Sequence, residues 1–195
     1  MKLNLNDGRI ETIRQVCDIL SNGDREQGRM VIAAGYPFRP KERHPRRYND
    51  LQKLTIFLRD GFIDRYSGER LIYPGALKVI SNNYPDEFPY HKNGKMTHGH
   101  MAYWYLFPTI DHITPHADGG DNNDDNLVTT SMMNNSLKSG YDLDDLGWEL
   151  HPVGDLNEWD GLTRWFFKYV SEHRTMLNDP YVNKYFRVLL RSGKY

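Results

Sequence analysis

The chain has 195 residues, enough to bury one substantial hydrophobic core with room for a small second lobe. The mean hydropathy of -0.74, without any apolar run near the roughly 20 residues that span a bilayer, predicts a soluble, cytoplasmic protein with no membrane partner. The single cysteine, Cys17, excludes an intrachain disulfide and any zinc site built from several cysteines. Its place in a helical pattern predicts a small, buried, apolar role.

The net charge of -1 conceals an uneven distribution of charged side chains. Residues 39–65 hold eight basic and four acidic side chains, residues 117–160 hold one and eleven, and residues 161–195 hold seven and two. The densest basic run, residues 39–47, contains two prolines, which predict a loop or an extended arm and not a helix. That arm is either a solvated surface loop or a contact for phosphate groups.

Three helices are predicted in the first 60 residues. Apolar side chains recur at helical spacing over residues 10–20, and a second helix is predicted over residues 24–34 before glycine and proline break it. A third follows Asn49 or Asp50 as its cap.

The pattern of apolar residues is weak in the middle of the chain and clear near its end. Residues 70–73 predict a short strand, and residues 84–99 an irregular segment. An apolar and aromatic stripe from Leu162 to Val170 predicts a helix, and Asp179-Pro180 predicts the capped start of another. Because these aromatic residues keep helical spacing, we interpret them as core and not as base-stacking platforms.

The stretch from residue 106 to residue 140 places its chemically active residues where elements join. An apolar, β-branched run predicts a strand over residues 106–113, which contains an acid and an imidazole, Asp111-His112, near its end. The following loop, residues 114–125, contains two glycines, four aspartates and two asparagines, which is turn chemistry. We therefore expect the chain to reverse in this loop.

A second strand and a helix complete this stretch. The strand is predicted over residues 127–130, and Ser131 is a suitable N-cap for a helix that runs through Lys138 and is closed by Gly140. Asn135 and Lys138 are three residues apart and share a face of that helix. We expect this face to look toward the end of the first strand.

These residues resemble those of the HNH nucleases, whose ββα-metal fold is a two-stranded hairpin followed by one helix that holds a divalent cation. The resemblance covers residues 106–140 and predicts an α+β fold, with a ββα-metal (HNH) hairpin-helix core embedded in a mostly helical domain. The regions that follow from it are an N-terminal helical region with the basic arm (1–60), the nuclease core (61–140) and a C-terminal helical region that packs on the core (141–195).

The resemblance implies a role for each matching residue. Asp111 and Asn135 match the two metal ligands, and His112 matches the general base. Asn126 matches the asparagine that ties down the loop and helps to orient the base. Lys138 falls where members of the family often place a basic residue near the phosphate.

The chemistry of phosphodiester hydrolysis explains why these residue types are needed. The substrate is anionic and has a poor leaving group, so the site needs an activated water and a cation at the leaving oxygen. A histidine titrates near neutral pH and can accept the proton of that water, while carboxylate and carboxamide oxygens suit Mg²⁺ or Mn²⁺. Adjacent strand residues normally face opposite sides, so Asp111 and His112 serve one site only if the strand twists or ends between them.

Many HNH proteins also hold a structural zinc with two Cys-x-x-Cys pairs, and this chain lacks those cysteines. Residues 64–68 lie where the first pair would be, and Ser131 and Asn134 lie where the second would be. No structural zinc is therefore expected. Hydrogen bonds of Asp64, Ser67 and Ser131 are predicted to replace that cross-link.

The predicted function is a metal-dependent endonuclease that hydrolyses phosphodiester bonds of double-stranded DNA, site-specific in the manner of restriction or phage enzymes. Such an enzyme would use one divalent cation and a histidine base, and a homodimer would let it cut both strands of a palindrome. The residues predicted to contact DNA are Arg43, Arg46, Arg47, His116 and Lys138.

Two other functions stay open. A DNA-binding module with an inactive nuclease site predicts binding without cleavage under Mg²⁺ or Mn²⁺. A toxin or RNA-directed nuclease of the same fold predicts a preference for RNA or single strands.

Two further metal sites are weighed and not favoured. The acidic loop from Asp118 to Asp125 lacks a closing glutamate at EF-hand spacing, so we interpret it as a solvated turn. His91, His98 and His100, together with His116, have no acid or thiol at ligand spacing, so surface or substrate-contact roles are preferred.

Overall fold

The computed structural model describes residues 7–38, 48–115 and 119–195. The chain divides into two compact units, Met1–Arg43 and His44–Tyr195. The division falls before the third helix, which begins at Asp50. That helix therefore belongs to the same unit as the predicted nuclease core.

The first unit contains α1 (Asp7–Ser21) and α2 (Arg25–Gly35), which pack against each other. Both helices lie where they were predicted, and the Asp24 carboxylate caps α2 by accepting a hydrogen bond from Gln27 N at 3.0 Å. Cys17 is exposed on α1, so the prediction of a buried cysteine is wrong. The preceding residue, Val16, takes the buried position beside Gly28 of α2.

The second unit combines helices with one antiparallel pair of strands, so the fold is α+β. Its helices are α3 (Asp50–Arg59), α4 (Pro74–Asn83), α5 (Ala102–Tyr105), α6 (Met132–Lys138), α7 (Leu143–Leu146), α8 (Thr163–Glu172) and α9 (Pro180–Ser192). The strands are β1 (Pro108–His112) and β2 (Leu127–Ser131). Short 3₁₀ turns cover Asp124–Asn126 and Arg174–Asn178. Within the described ranges, no helix is both long and apolar enough to cross a membrane.

The strand predicted over residues 70–73 is wrong. Arg70 forms an isolated bridge with Ile63, and the next three amides donate to three separate segments of the chain. These bonds are Leu71 N to Phe62 O (2.8 Å), Ile72 N to Leu106 O (2.9 Å) and Tyr73 N to Gly161 O (2.7 Å). Because no single neighbour supplies consecutive acceptors, a strand ladder does not form.

Aromatic side chains build much of the core of the second unit. Of the aromatic residues predicted as core from their helical spacing, Phe166 and Tyr185 belong to it or pack against it, whereas Trp165 and Tyr181 are 41% and 40% exposed. Tyr73 packs edge-on against Phe62 and Phe166, with ring centroids 6.3 Å and 5.3 Å away, and its hydroxyl donates to Tyr185 O at 2.7 Å. Burial raises the pKa of the Tyr73 phenol, which therefore stays protonated as a donor. These contacts join α4, α8 and α9 around one apolar centre.

Gly161 is required by the packing around Phe62. Its φ of +67° lies in the left-handed region, and a Cβ at this position would collide with the Phe62 ring. The close approach lets Gly161 O accept the hydrogen bond from Tyr73 N. The turn before α8 is thereby fixed to the segment before α4.

Candidate functional site

β1 and β2 pair in regular register to the end of β1. Asp111 is paired with Val128 and His112 with Leu127, and Ile113 N donates to Asn126 O at 2.9 Å. The strand therefore continues through both residues of the Asp-His pair, and their side chains project from opposite faces of the hairpin. Their described side-chain contacts differ accordingly.

The Asp111 carboxylate lies in the interior, in contact with a phenol and an ammonium group. Asp111 is 1% exposed, and its Oδ2 atom accepts a hydrogen bond from the Tyr66 hydroxyl at 3.0 Å. The Nζ atom of Lys138 lies 3.1 Å from the same oxygen and donates to His112 O at 2.7 Å. Burial, followed by the negative charge of Asp111, raises the pKa of Tyr66, so the phenol remains a donor.

His112 projects into a different set of polar groups. Its Nε2 atom lies 2.9 Å from the Tyr48 hydroxyl and 2.9 Å from Asn122 Oδ1. The Tyr48 hydroxyl also lies 3.2 Å from Asn122 Oδ1. A protonated Nε2 donates to Asn122, whereas a deprotonated Nε2 accepts from Tyr48, so these two partners suit either tautomer.

Asn126 ties the ends of the hairpin loop together. Its Oδ1 atom accepts from Thr114 N at 2.9 Å, while its Nδ2 atom donates to Thr114 O at 3.1 Å and to Asp121 O at 2.9 Å. The loop-closing part of the role expected for Asn126 is therefore present. Gly120 lies so close to Thr114 O and the Asn126 amide that any side chain there would collide with them, so this position requires glycine.

Asn135 lies on α6, over the face of β1 that carries Thr109. Its Nδ2 atom donates to Thr109 Oγ1 at 3.0 Å and to Ile110 O at 3.2 Å. Thr109 and Asp111 are two residues apart on one strand and share a face. The structure therefore brings Asn135 and Asp111 to the same side of the hairpin, as the sequence predicted for this helix face.

Lys138 shares that helix face, but its contact is intramolecular. The side chain is 1% exposed, and its ammonium group neutralises Asp111. In this arrangement Lys138 faces a carboxylate and the end of β1 and does not face solvent.

This face of the hairpin carries two side chains with oxygen donors, Asp111 on β1 and Asn135 on α6. A carboxylate on β1 and a carboxamide on α6 are hard oxygen donors of the kind that Mg²⁺ accepts. The Asn135 amide group donates through Nδ2 to β1, which directs its oxygen away from those acceptors. Lys138 already balances the charge of Asp111, so a cation at Asp111 has to compete with an ammonium group.

No family model, no curated protein and no solved structure matches the chain. The assignment of roles therefore rests on the residues themselves, their positions in the fold and their resemblance to the HNH pattern.

Two buried aspartates anchor the hairpin to the segment before α4. Asp64 accepts hydrogen bonds from Tyr66 N, Thr130 Oγ1, Ser131 N and Asn134 Nδ2 at 2.8 to 3.0 Å. Asp60 accepts from Thr129 N at 2.7 Å and pairs with Arg59. Asp64 thus links the two segments where the zinc-binding cysteines of the family would lie. This confirms the hydrogen bonds predicted for Asp64 and Ser131.

Ser67 does not take part in that link. Its Oγ atom is 3.4 Å from Glu69 N, within its own turn, so the predicted contribution of Ser67 to the cross-link is wrong. The single carboxylate of Asp64, with two oxygens and four donors, satisfies the local hydrogen bonding without it.

Several predicted contacts fall outside the described residues. Arg43, Arg46, Arg47 and His116 all lie in the ranges that the structure does not describe, so their predicted contacts with DNA stay predictions.

The other histidines make local contacts. His91 Nδ1 accepts from Asn93 N and Lys95 N, and His100 Nδ1 accepts from Ala102 N at 3.1 Å. His98 Nδ1 lies 2.7 Å from Thr97 Oγ1. These bonds use one ring nitrogen of each histidine to shape the irregular segment before α5.

Sequence reasoning missed three polar partners of the Asp-His pair. Tyr48 and Asn122 contact His112, and Tyr66 contacts Asp111. Asn122 lies in the loop that was singled out for its polar composition, but nothing in the sequence distinguished it from Asn123. Tyr48 and Tyr66 precede the hairpin by more than 40 residues, and no local pattern marks them.

Proposed function

We propose that the chain is a metal-dependent endonuclease that hydrolyses phosphodiester bonds of double-stranded DNA. The observation that carries the proposal is the direct succession of β1, β2 and α6, with an Asp-His pair ending β1 and Asn135 of α6 bonded to the same strand. The element order is that of the HNH pattern, whereas Asp111 and His112 project from opposite faces of β1. The proposal therefore requires the end of β1 to twist when the cation and the substrate bind. Site-specific cutting and a homodimer belong to the same proposal.

His112 is the proposed general base. Its Nε2 atom already lies among hydrogen-bonding groups, the Tyr48 hydroxyl and Asn122 Oδ1. A water that replaced either partner would lie within reach of the imidazole, which would take its proton and leave hydroxide to attack phosphorus.

Asp111 and Asn135 are the residues that would hold the cation. A bound Mg²⁺ or Mn²⁺ would stabilise negative charge on the departing oxygen. Within the chain, Tyr66 fixes the Asp111 carboxylate by a hydrogen bond, and Thr109 and Ile110 fix the Asn135 amide. These contacts keep the two donors on one side of the hairpin.

A row of cations on α9 supports a contact with the DNA backbone. Lys184, Arg187 and Arg191 are exposed and recur at helical spacing along one groove of the surface. Binding to phosphates through such side chains does not depend on base sequence and weakens as salt concentration rises. The groove therefore suits the backbone of the proposed substrate.

The proposal is tested by incubating plasmid DNA and an RNA transcript with the wild type and with His112→Ala, with and without Mg²⁺ or Mn²⁺. We expect discrete metal-dependent DNA fragments from the wild type, and at least a hundredfold slower cutting by the variant, since a general base contributes about 10² to 10⁴ in rate. DNA binding should persist in the variant. Undiminished cutting by His112→Ala would reject the mechanism, and preferential cutting of RNA would reject the substrate.

A DNA-binding module without nuclease activity is the second candidate. The observation that favours it is the interior position of both members of the Asp-His pair, each 1% exposed, together with the ammonium group of Lys138 at Asp111. For this candidate, both proteins in the same experiment bind DNA equally and neither cuts it under any metal.

A further inference from the structure

A cavity of about 310 Å³ opens between α3, α9 and the start of β1. Its walls are aromatic and aliphatic, formed by Leu54, Phe57, Tyr73, Phe107, Ile110 and Val188. The volume lies at the small end of the range for ligand sites. A single planar ring system of modest size suits such a space.

Charged side chains stand at the rim of the cavity. Asp50 lies between Lys53 and Lys184, at 3.8 Å and 3.5 Å from their ammonium groups, and each of the three side chains is at least 35% exposed. The rim therefore presents one acceptor and two cations above apolar walls. A ligand with a flat ring and an attached anionic group matches the apolar walls and the two cations of the rim.

The cavity lies against the start of β1, where Pro108, Thr109 and Ile110 all line it. Ile110 lines the cavity and is two residues from His112 along the strand, so both side chains project in the same direction. Tyr48 also lines the cavity, and its hydroxyl lies 2.9 Å from His112 Nε2. A ligand in the cavity is consequently adjacent to His112, the proposed general base.

The groove lined by Lys184, Arg187 and Arg191 of α9 adjoins the cavity. The groove shares Asp50, Lys184 and Val188 with the cavity, and Arg187 and Arg191 extend it along the helix. Phosphate-binding side chains thus begin where the apolar walls end. A nucleotide chain can place a base in the cavity while its neighbouring phosphates lie along α9.

We propose that this cavity receives one unpaired nucleobase of the DNA strand that is cut. The inference rests on the proposed function and adds to it a base extruded from the duplex next to the scissile phosphate. Extrusion costs the stacking and pairing of that base, and contact with aromatic walls offsets this cost. The cavity therefore favours DNA that is already distorted or that bends readily.

The test compares two duplex oligonucleotides of one sequence, the first with a single bulged thymine and the second with an abasic residue at the bulge. Affinities are measured by fluorescence anisotropy in EDTA, so cleavage does not contribute. We expect the wild type to bind the thymine duplex about tenfold more tightly, since stacking of one base on aromatic side chains has an effect of this order. Equal affinities would overturn the proposal.

Variants that fill the cavity test whether the preference for the thymine duplex arises there. Val188→Trp is expected to lower the preference to twofold or less, whereas Leu190→Trp, on the exposed side of the same helix, keeps it. Ile110→Phe fills the cavity from β1 and replaces Val188→Trp if that protein does not fold. An undiminished preference in a folded cavity variant would overturn the proposal.

Cleavage of plasmid DNA by the same preparations separates the two proposals. Metal-dependent cleavage without a base preference would reject the cavity and retain the nuclease. A base preference without cleavage would support the cavity and reject the nuclease.

Discussion

Asp111 and Lys138 form a buried pair of opposite charges at the end of β1. Both side chains are almost fully buried, at 2% and 1% exposure, with 3.1 Å between Oδ2 and Nζ. Removing water from two charges is costly, and attraction between them offsets that cost only while both are present. Loss of either charge alone is therefore expected to destabilise the end of β1.

We predict that Lys138→Met lowers the free energy of unfolding by about 3 kcal/mol, because it leaves the carboxylate without its buried ammonium neighbour. Asp111→Asn added to Lys138→Met should recover part of that loss, since the uncompensated charge is then absent. Urea unfolding of the wild type, both single variants and the double variant measures the coupling. Simple additivity of the two single effects would contradict the prediction.

At the scale of single residues, the short motif over residues 111–135 indicated contacts that the structure contains. Asp111, Asn126 and Asn135 were identified by their resemblance to the HNH pattern, and the hydrogen bonds of Asn126 and Asn135 fit the loop and the helix face expected of them. The contacts of Tyr48 and Tyr66 were not predicted, because these residues reach the hairpin from distant segments. Contacts between residues far apart in sequence leave no periodic signal.

Among the elements, helices with caps were predicted best. Ser131 Oγ accepts from Asn134 N at 3.0 Å at the start of α6, and Asp179 Oδ1 accepts from Tyr181 N at 2.8 Å at the start of α9. α4, α5 and α7 were missed, and none of the three has a side-chain hydrogen bond at its N-cap. α8 also lacks one but was predicted from its apolar stripe. Cap chemistry is a local signal, whereas helices without it depend on packing.

The Asp64 link predicts a large effect from one substitution. Asp64→Asn replaces a carboxylate oxygen by an NH₂ group facing donors, so buried donors lose their acceptor. We expect the free energy of unfolding to fall by about 3 kcal/mol. The exposed Asp86 gives the control, since Asp86→Asn should change stability by less than about 0.5 kcal/mol. Equal effects of the two variants in urea unfolding would refute the role of Asp64.

The N-cap of α9 predicts a dependence of stability on pH. Burial opposes ionisation of Asp179, but the hydrogen bonds from Val182 N and Lys78 outweigh burial and lower its pKa. The folded state therefore holds this proton less tightly than the unfolded state. Its stabilising contribution is present above the unfolded pKa and is lost as pH falls through the folded pKa.

We expect Asp179→Asn to reduce stability at pH 7 by about 1 kcal/mol and to flatten the loss of stability below roughly pH 4. Asparagine still accepts the capping hydrogen bonds but carries no charge for Lys78, which lies 3.2 Å from Asp179. Thermal unfolding from pH 7 to pH 2 measures both effects. A variant whose profile parallels that of the wild type would contradict the assignment.

For the whole molecule, the hairpin and α6 depend on surrounding elements. Asp60 follows α3 and binds β2, and Asp64 binds both β2 and α6. The three elements of the predicted nuclease motif therefore obtain much of their hydrogen bonding from residues before 106. A two-stranded sheet with one short helix buries too little surface to be stable without such support.

We predict that residues 44–195 fold without the first unit and unfold cooperatively in urea, whereas residues 106–140 alone do not fold. The larger fragment corresponds to the second compact unit and contains its whole apolar core. Circular dichroism of both fragments measures the outcome. A cooperative transition in the short fragment, or none in the long one, would contradict this view of the core.

The exposed Cys17 on α1 offers an experimental handle. It is the only cysteine of the chain and belongs to the first unit, so a maleimide dye or a nitroxide attaches at one known position without any substitution. Cys17 is far in sequence from the Asp-His pair, and labelling leaves every proposed site residue unchanged. Energy transfer from that dye to a fluorophore on an oligonucleotide would test in real time whether DNA binds.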